Sequence, residues 1–382
     1  MKTEKNIYFS GINGLRFLAA LAVIITHVEL LKEMFGFKAI WKNPIIFNLG
    51  GLGVCFFFVL SGFLITYLLL VEKEKQGHIN IKQFYMRRIL RIWPLYYLIM
   101  LLGFFVLPQF TGIQIPYLQN DFVNHYNTNL ILYLLILPNL AFSLFPAVPH
   151  IGQAWSIGVE EQFYLVWPWL ISRTRHVVKT LIIITLSLVL FKVLVLLLGH
   201  YFCQSSWYIP LKRFVAMSKF ECMAIGGIGG YFIFSNDKLL AIIYNRHLLN
   251  LSIVLIPLLI FFTPGLLQDG VHLVYAVLFL IIILNVANGS VKINLENKLF
   301  NYLGKISYGI YMYHLMIIPI VLYVVKHFLG QGTGMLFNIT VYSLSILGTI
   351  TVAGLSYKFL EEPFIKLKSK FTTVKSGESN KE

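Results

Sequence analysis

The chain has 382 residues, 58% of them hydrophobic and only 12% charged, against about 25% charged in an ordinary soluble domain. An apolar excess of this size cannot be hidden in one soluble core, so lipid has to cover much of it. The net charge of +15 lies mostly in the connections between apolar runs, as the positive-inside rule requires; with no RNA- or DNA-reading motif, a nucleic-acid partner is excluded.

Apolar runs fall at 14–31, 50–71, 92–108, 130–145, 153–171, 180–198, 219–234, 248–263, 272–288, 306–326 and 336–358. The first carries Arg16 and His27 and has no small-residue cleavage site after it, so it reads as a retained span and not as a signal peptide. The fourth is short, with Pro138 and Asn139 inside it. If it crossed, the basic stretches 172–180 and 289–305 and the lysines after 366 would face outward. If it dips in and returns, these stretches join 1–13 and 72–91 in the cytoplasm. The expected fold is therefore an all-α membrane bundle of ten spans plus one re-entrant segment, with both termini cytoplasmic. Loop 32–49, with three lysines, counts mildly against it. One membrane domain is expected over 1–366 and a polar cytoplasmic tail over 367–382. Cys55, Cys203 and Cys222 are scattered and support neither a disulfide framework nor a metal cluster.

Several residues do not belong in lipid. Arg16 and His27 are eleven apart, close to three helical turns, so they share a face about 16 Å apart along the axis; the bland reading is a snorkelling Arg and a hydrogen-bonded core His, and the favoured one is a functional site, since ionisable groups inside a membrane are candidates by default. In the glycine-rich second run, Ser61 reads better as packing than as a nucleophile. Arg87, Arg88 and Arg91 cluster at helical spacing. They form either a phosphate clamp or a topology anchor on anionic headgroups. The fifth run opens with Trp155, Ser156, Glu160, Glu161 and Tyr164, in the outer leaflet on this topology. Glu161, Tyr164 and Pro168 alternate around the helix with Glu160, Phe163 and Trp167, so one Glu faces the interior squarely. This reads as an outer pocket for a sugar hydroxyl or as an aromatic interface belt. In the tenth run Tyr311 and His314 follow, His314 about 12 Å from the cytoplasmic end, where it could approach the level of His27 or serve only as a buried structural side chain.

Together these stretches resemble the acyltransferase-3 family, the membrane O-acyltransferases of bacterial surface polysaccharides. The resemblance runs from about residue 8 to 366. It rests on Arg16 and His27 (R-x10-H), Ser61–Ile65 (S-G-F-L-I), and Arg88, Arg91 and Pro94 (R-x-x-R-x-x-P). Ala154–Tyr164 (A-W-S-x-x-V-E-E-Q-F-Y), Gly304–His314, and Glu361 with Pro363 complete it. Gly158 stands where Ser is usual, Glu362 where a basic residue is common, and Lys219-Phe220-Glu221 is a loose match to R-F-D/E. The resemblance implies a cytoplasmic acyl-CoA donor, acetyl-CoA in the first place, with no permanently bound cofactor and no metal. It implies a surface carbohydrate or lipid-linked glycan as acceptor. Donor phosphates would sit on Arg87, Arg88 and Arg91. His27 would be the general base, with Arg16 and Glu160 counted with it as catalytic. Ser61, Trp155, Ser156, Glu161, Tyr164, Tyr311 and His314 would bind substrate. No hydrolase-like extracytoplasmic domain follows the last span, so this chain is expected to complete transfer itself or with a separate partner. A transporter or flippase of acyl groups or glycolipids is the competing class.

Overall fold

A computed structural model describes residues 7–262, 268–290, 294–330 and 334–372, and its regular elements are helices. In chain order these are α1 Ile12–Met34, α2 Pro44–Gln76, α3 Ile81–Leu101, α4 Gln119–Asn124, α5 Tyr126–Leu134, α6 Pro138–Leu144, α7 Trp155–Arg173, α8 Val177–Phe202 and α9 Tyr208–Met217. There follow α10 Phe220–Ser235, α11 Leu239–Ile243, α12 Arg246–Phe262, α13 Gln268–Ala287, α14 Lys298–Lys305, α15 Ser307–Leu329, α16 Met335–Ser356 and α17 Glu362–Lys368. Three starts are set by asparagine caps. The side-chain oxygens of Asn43, Asn80 and Asn297 accept from the backbone N–H of Ile45, Gln83 and Phe300, at 3.0, 3.1 and 2.9 Å. Each satisfies a donor that the first helical turn would leave bare.

Six of the described helical stretches are long and apolar enough to cross a membrane: α1, α2, α3 extended to Gln109, α8, α15, and Met335–Phe371, which contains α16 and α17. α12 and Val271–Ala287 within α13 are apolar but shorter. The chain is a multi-pass membrane protein. The run 130–145 does not form one helix: α5 ends, Ile136 takes φ 57°, and α6 begins at Pro138. At 1.5 Å per residue the two pieces reach only about 14 and 10 Å, short of a crossing. Of the three lysines in the loop after the first run, Lys32 is inside α1 and buried. Its Nζ lies 2.7 Å from Glu29 and donates to Asn338 at 2.7 Å, so it is a partnered charge and not a free loop charge. The polar end of the chain stays helical through Lys368, and Arg87 donates to the Phe371 carbonyl at 2.9 Å; residues 373–382 of the expected tail lie outside the described residues.

α2 is the axis of the bundle. Its most apolar stretch is 72% buried, whereas that of α8 is 11% buried and turns Leu186, Leu190 and Leu197 outward. α2 and α10 run in the same direction in backbone contact: a Cβ on Gly62 would collide with the carbonyl of Met223, and one on Gly226 with that of Val59. Small residues let helices approach closely where lipid offers no hydrophobic drive for association. Glu221 on α10 pairs with Lys192 on α8 at 2.5 Å, and Lys219, just before α10, donates to Nε2 of His272 on α13 at 2.8 Å.

Gly62→Val should separate α2 from α10 and lower stability by about 1–3 kcal/mol or more. Thermal melting and monodispersity in detergent are the readout. Gly51, with open space where a Cβ would lie, should accept Ala unchanged.

Candidate active site

α1, α2, α3, α7 and α15 enclose a cavity of about 1120 Å³, and α14 and α17 form its mouth. α1 contributes Arg16; α2 contributes Phe57 and Ser61; α3 contributes Arg88 and Arg91. α7 adds Ser156, Glu160 and Tyr164, and α15 adds Tyr308 and Tyr311. Lys298 comes from α14, and Lys366 and Lys368 from α17.

Glu160 organises one wall. One carboxylate oxygen accepts from the Ser61 hydroxyl at 3.0 Å, the other from the Tyr164 hydroxyl at 2.9 Å. The second bond is an i,i+4 pair along α7, so Tyr164 shares a face with Glu160 and not with Glu161, contrary to the alternation expected from the sequence. Glu161 turns to α3 and accepts from the Trp93 indole N–H at 3.0 Å. Ser156, Glu160 and Tyr164 wall the same chamber as Arg16. Trp155 does not line it; it packs edge-on to Phe58 at 6.2 Å between centroids.

The arginine cluster divides. Arg88 and Arg91, three apart on α3, line the cavity. Neither side chain makes a hydrogen bond or ion pair with a described residue; Arg88 lies 5.7 Å from the ring centroids of Phe84 and Tyr164. Arg87 points about a quarter-turn away from Arg88 and does not line the cavity, a correction to the phosphate-clamp expectation. It pairs with Glu72 at 2.7 Å, both side chains being buried, and the other oxygen of Glu72 accepts from the Asn80 N–H at 2.9 Å. Arg87 thus ties the end of α2 to the start of α3 and, through Phe371, to the chain beyond α17.

His27 and His314 come together although 287 residues separate them: Nδ1 of His27 lies 3.2 Å from Nε2 of His314. Neither lines the cavity. They stand one turn beyond its end wall, since His314 is three residues past Tyr311 on α15. The carbonyls fix the tautomers of the neutral rings. Nδ1 of His314 is 2.6 Å from the Tyr311 carbonyl, which only accepts, so the proton is on Nδ1 and Nε2 is bare. Nδ1 of His27 faces the Val23 carbonyl at 2.9 Å as well as that bare Nε2, so it donates and leaves the Nε2 of His27 with its lone pair. The end wall is itself bonded: Tyr311 and Ser156 hydroxyls meet at 2.7 Å, and Tyr311 donates to the Gln153 carbonyl at 3.0 Å.

Lys298, Lys366, Lys368 and Tyr308 were not marked by the sequence as site residues. The lysines read only as cytoplasmic charges, and nothing local shows that α14 and α17 meet at one mouth. The Tyr308 hydroxyl donates to the Ile92 carbonyl at 3.0 Å, joining α15 to α3.

An internal chamber lined by cations, inside a bundle that crosses the membrane several times, places the chain among polytopic membrane proteins with a buried binding site. It matches the family model described as an acyltransferase domain over residues 9–358, and it belongs to that family, acyltransferase-3. It is 28% identical to the O-acetyltransferase OatA of Staphylococcus aureus strain NCTC 8325 over 380 residues, 94% of this chain and 57% of that protein. OatA of strains COL and MRSA252 gives the same figures. The chain thus spans a little over half the length of these relatives. No solved structure matches it at a significant level.

Arg87→Ala should leave Glu72 as a buried, half-satisfied charge and cost about 3–5 kcal/mol of stability. Glu72→Gln combined with Arg87→Met should restore much of it. Melting curves of the purified single and double variants test this, and a loss of donor binding without a loss of stability would contradict the structural role.

Proposed function

We propose that this chain is a membrane O-acyltransferase. It would move an acyl group, acetyl in the first place, from cytoplasmic acyl-CoA to a hydroxyl of an extracytoplasmic or lipid-linked glycan. The observation that carries the reading is the cavity. Arg16, Arg88 and Arg91 line it with no side-chain hydrogen bond or ion pair to a described residue, and it leads to a hydroxyl-rich end wall one turn from a paired histidine. Unpartnered guanidiniums in a low-dielectric bundle call for an anionic ligand, and a coenzyme A thioester is anionic at one end and reactive at the other. The family and the O-acetyltransferase relatives support the same chemistry.

In this reading the donor enters between α14 and α17, its phosphates meet Arg88 and Arg91, and its acyl arm runs past Arg16 and Ser61 toward Tyr311. The acceptor hydroxyl approaches from the opposite side. Nε2 of His27 takes its proton as the oxygen attacks the thioester carbonyl; the C–S bond breaks and the proton passes to the departing thiolate. His314 holds His27 in the tautomer that leaves Nε2 free, and Glu160 fixes Ser61 and Tyr164 along the arm's path. Tyr311 stands between thioester and base, so its bonds to Ser156 and Gln153 open during transfer. The ten-span arrangement with cytoplasmic termini, in a bacterial inner membrane, supports this two-sided access. It makes the exposed 172–180 connection cytoplasmic, while Tyr117, 85% exposed, faces out.

Two experiments bear on the reading. In intact cells, a single cysteine at 117 should react with an impermeant thiol reagent and one at 176 should not; labelling of 176 from outside would sink the topology. In purified protein, His27→Gln should keep acetyl-CoA binding yet lose transfer by about 10²–10⁴-fold, read as CoA thiol released together with acylated product. His314→Gln should lower kcat more than it raises KM and shift the pH profile. Parent protein that moves glycolipid or acyl groups without releasing thiol would favour the transporter class, and His27→Gln at the parent rate would remove His27 as the base.

A further inference from the structure

The cations at the cavity mouth outnumber the anions able to answer them. Lys298 opens α14 and Lys368 closes α17, segments 70 residues apart in sequence, yet both line one cavity. Neither side chain makes a hydrogen bond or ion pair with a described residue. Lys368 also lies within electrostatic reach of Arg88, Arg91, Arg87 and Arg16, so like charges crowd one space. Nε of Arg88 is buried with no acceptor. The two carboxylates that line the cavity are already engaged: Glu160 with Ser61 and Tyr164, and Glu362 with Lys366 at 3.3 Å.

Holding so many like charges around a space that lipid and protein partly shield is unfavourable without a polyanion in it. The two sets differ in chemistry. Arg88 and Arg91 sit two to three turns into α3 and present planar forks suited to bidentate contact with a diphosphate. Lys298 and Lys368 present point charges suited to a phosphate monoester. Lys298 and Lys368 come from other elements, α14 and α17, and α17 is packed on α3. Two phosphate groups separated along one ligand fit the two sets.

We propose that the mouth is a two-part nucleotide site. Arg88 and Arg91 hold the diphosphate of the donor, and Lys298 and Lys368 hold a separate phosphate on its ribose, so that the protein selects a 3′-phosphorylated coenzyme A thioester over its dephospho form. The proposal rests on the acyl-CoA reading above and adds to it the ligand group that the two lysines recognise. It also assigns α17 a role in donor selection.

The test is a ligand-and-variant cycle on purified full-length protein in neutral phosphatidylcholine nanodiscs, with binding measured for acetyl-CoA and acetyl-dephospho-CoA. The parent should prefer acetyl-CoA by about ten- to hundredfold. Lys298→Gln combined with Lys368→Gln should erase the preference by weakening acetyl-CoA alone, leaving the dephospho form bound as before. Adenosine 3′,5′-bisphosphate should compete in the parent and not in the double variant. Lys82→Gln, an exposed position on α3 outside the cavity, should keep the preference. A parent that binds both thioesters equally, or a folded double variant that still discriminates, would overturn the two-part site while leaving the donor reading intact. A parent that binds neither thioester would overturn the donor reading itself. If phosphatidylglycerol in the nanodisc displaced acetyl-CoA from the parent and not from the double variant, the lysines would serve a lipid headgroup, and the proposal would fail.

Discussion

The backbone contact between α2 and α10 is the constraint on which the site depends. Two helices running in the same direction at this separation admit no side chain between them, so Gly62 and Gly226 set both depth and rotation of α2. With that rotation fixed, Ser61, the neighbour of Gly62, is turned toward α7, where its hydroxyl meets Glu160. The same rotation sends Phe57 and Phe58 toward the cavity and Trp155. Helices in lipid have no hydrophobic drive to associate, so close packing of this kind has to supply the order that a soluble core obtains from burial.

Around that axis the protein spends its polar contacts unevenly. Glu29 with Lys32, Glu72 with Arg87 and Glu221 with Lys192 are paired at 2.5–2.7 Å; the last two join neighbouring helices, and the first, within α1, reaches α16 through Asn338 and Tyr342. Breaking such a pair leaves an uncompensated buried charge, which makes these contacts structural locks whatever their net contribution. Within the cavity, the side chains of Arg16, Arg88, Arg91, Lys298 and Lys368 make no hydrogen bond or ion pair with a described residue. In a membrane bundle that contrast separates charges the fold consumes from charges it reserves for a ligand.

The histidine pair shows how two modest features become one chemical unit. A ring nitrogen facing a carbonyl has no choice of role, and the Tyr311 and Val23 carbonyls together direct the chain of donors so that one nitrogen of His27 stays bare. The tautomer follows from backbone carbonyls on α1 and α15 and needs no acidic residue beside the pair, an economy that suits a low-dielectric position.

Much of this protein was legible in its residues. Hydropathy determined the membrane class and the all-helical fold, and Pro138 marked the break that separates α5 from α6 within 130–145, because helix length, hydropathy and helix-breaking residues are local properties. The eleven-residue spacing of Arg16 and His27 and the order of the motifs marked the family. What sequence could not decide were rotations and meetings. Arg87, Arg88 and Arg91 look equivalent in a string, yet helix geometry gives one to Glu72 and two to the cavity. Tyr164 belongs with Glu160 because i and i+4 share a face once α7 is seated. Ser61 finds its partner 99 residues away, His27 finds His314 at 287, and Lys298 meets Lys368 at one mouth, since only packing brings distant segments to one place. The sequence by itself determined which residues are costly in a membrane; the tertiary structure alone decided which of them are paired with protein and which are left for a substrate.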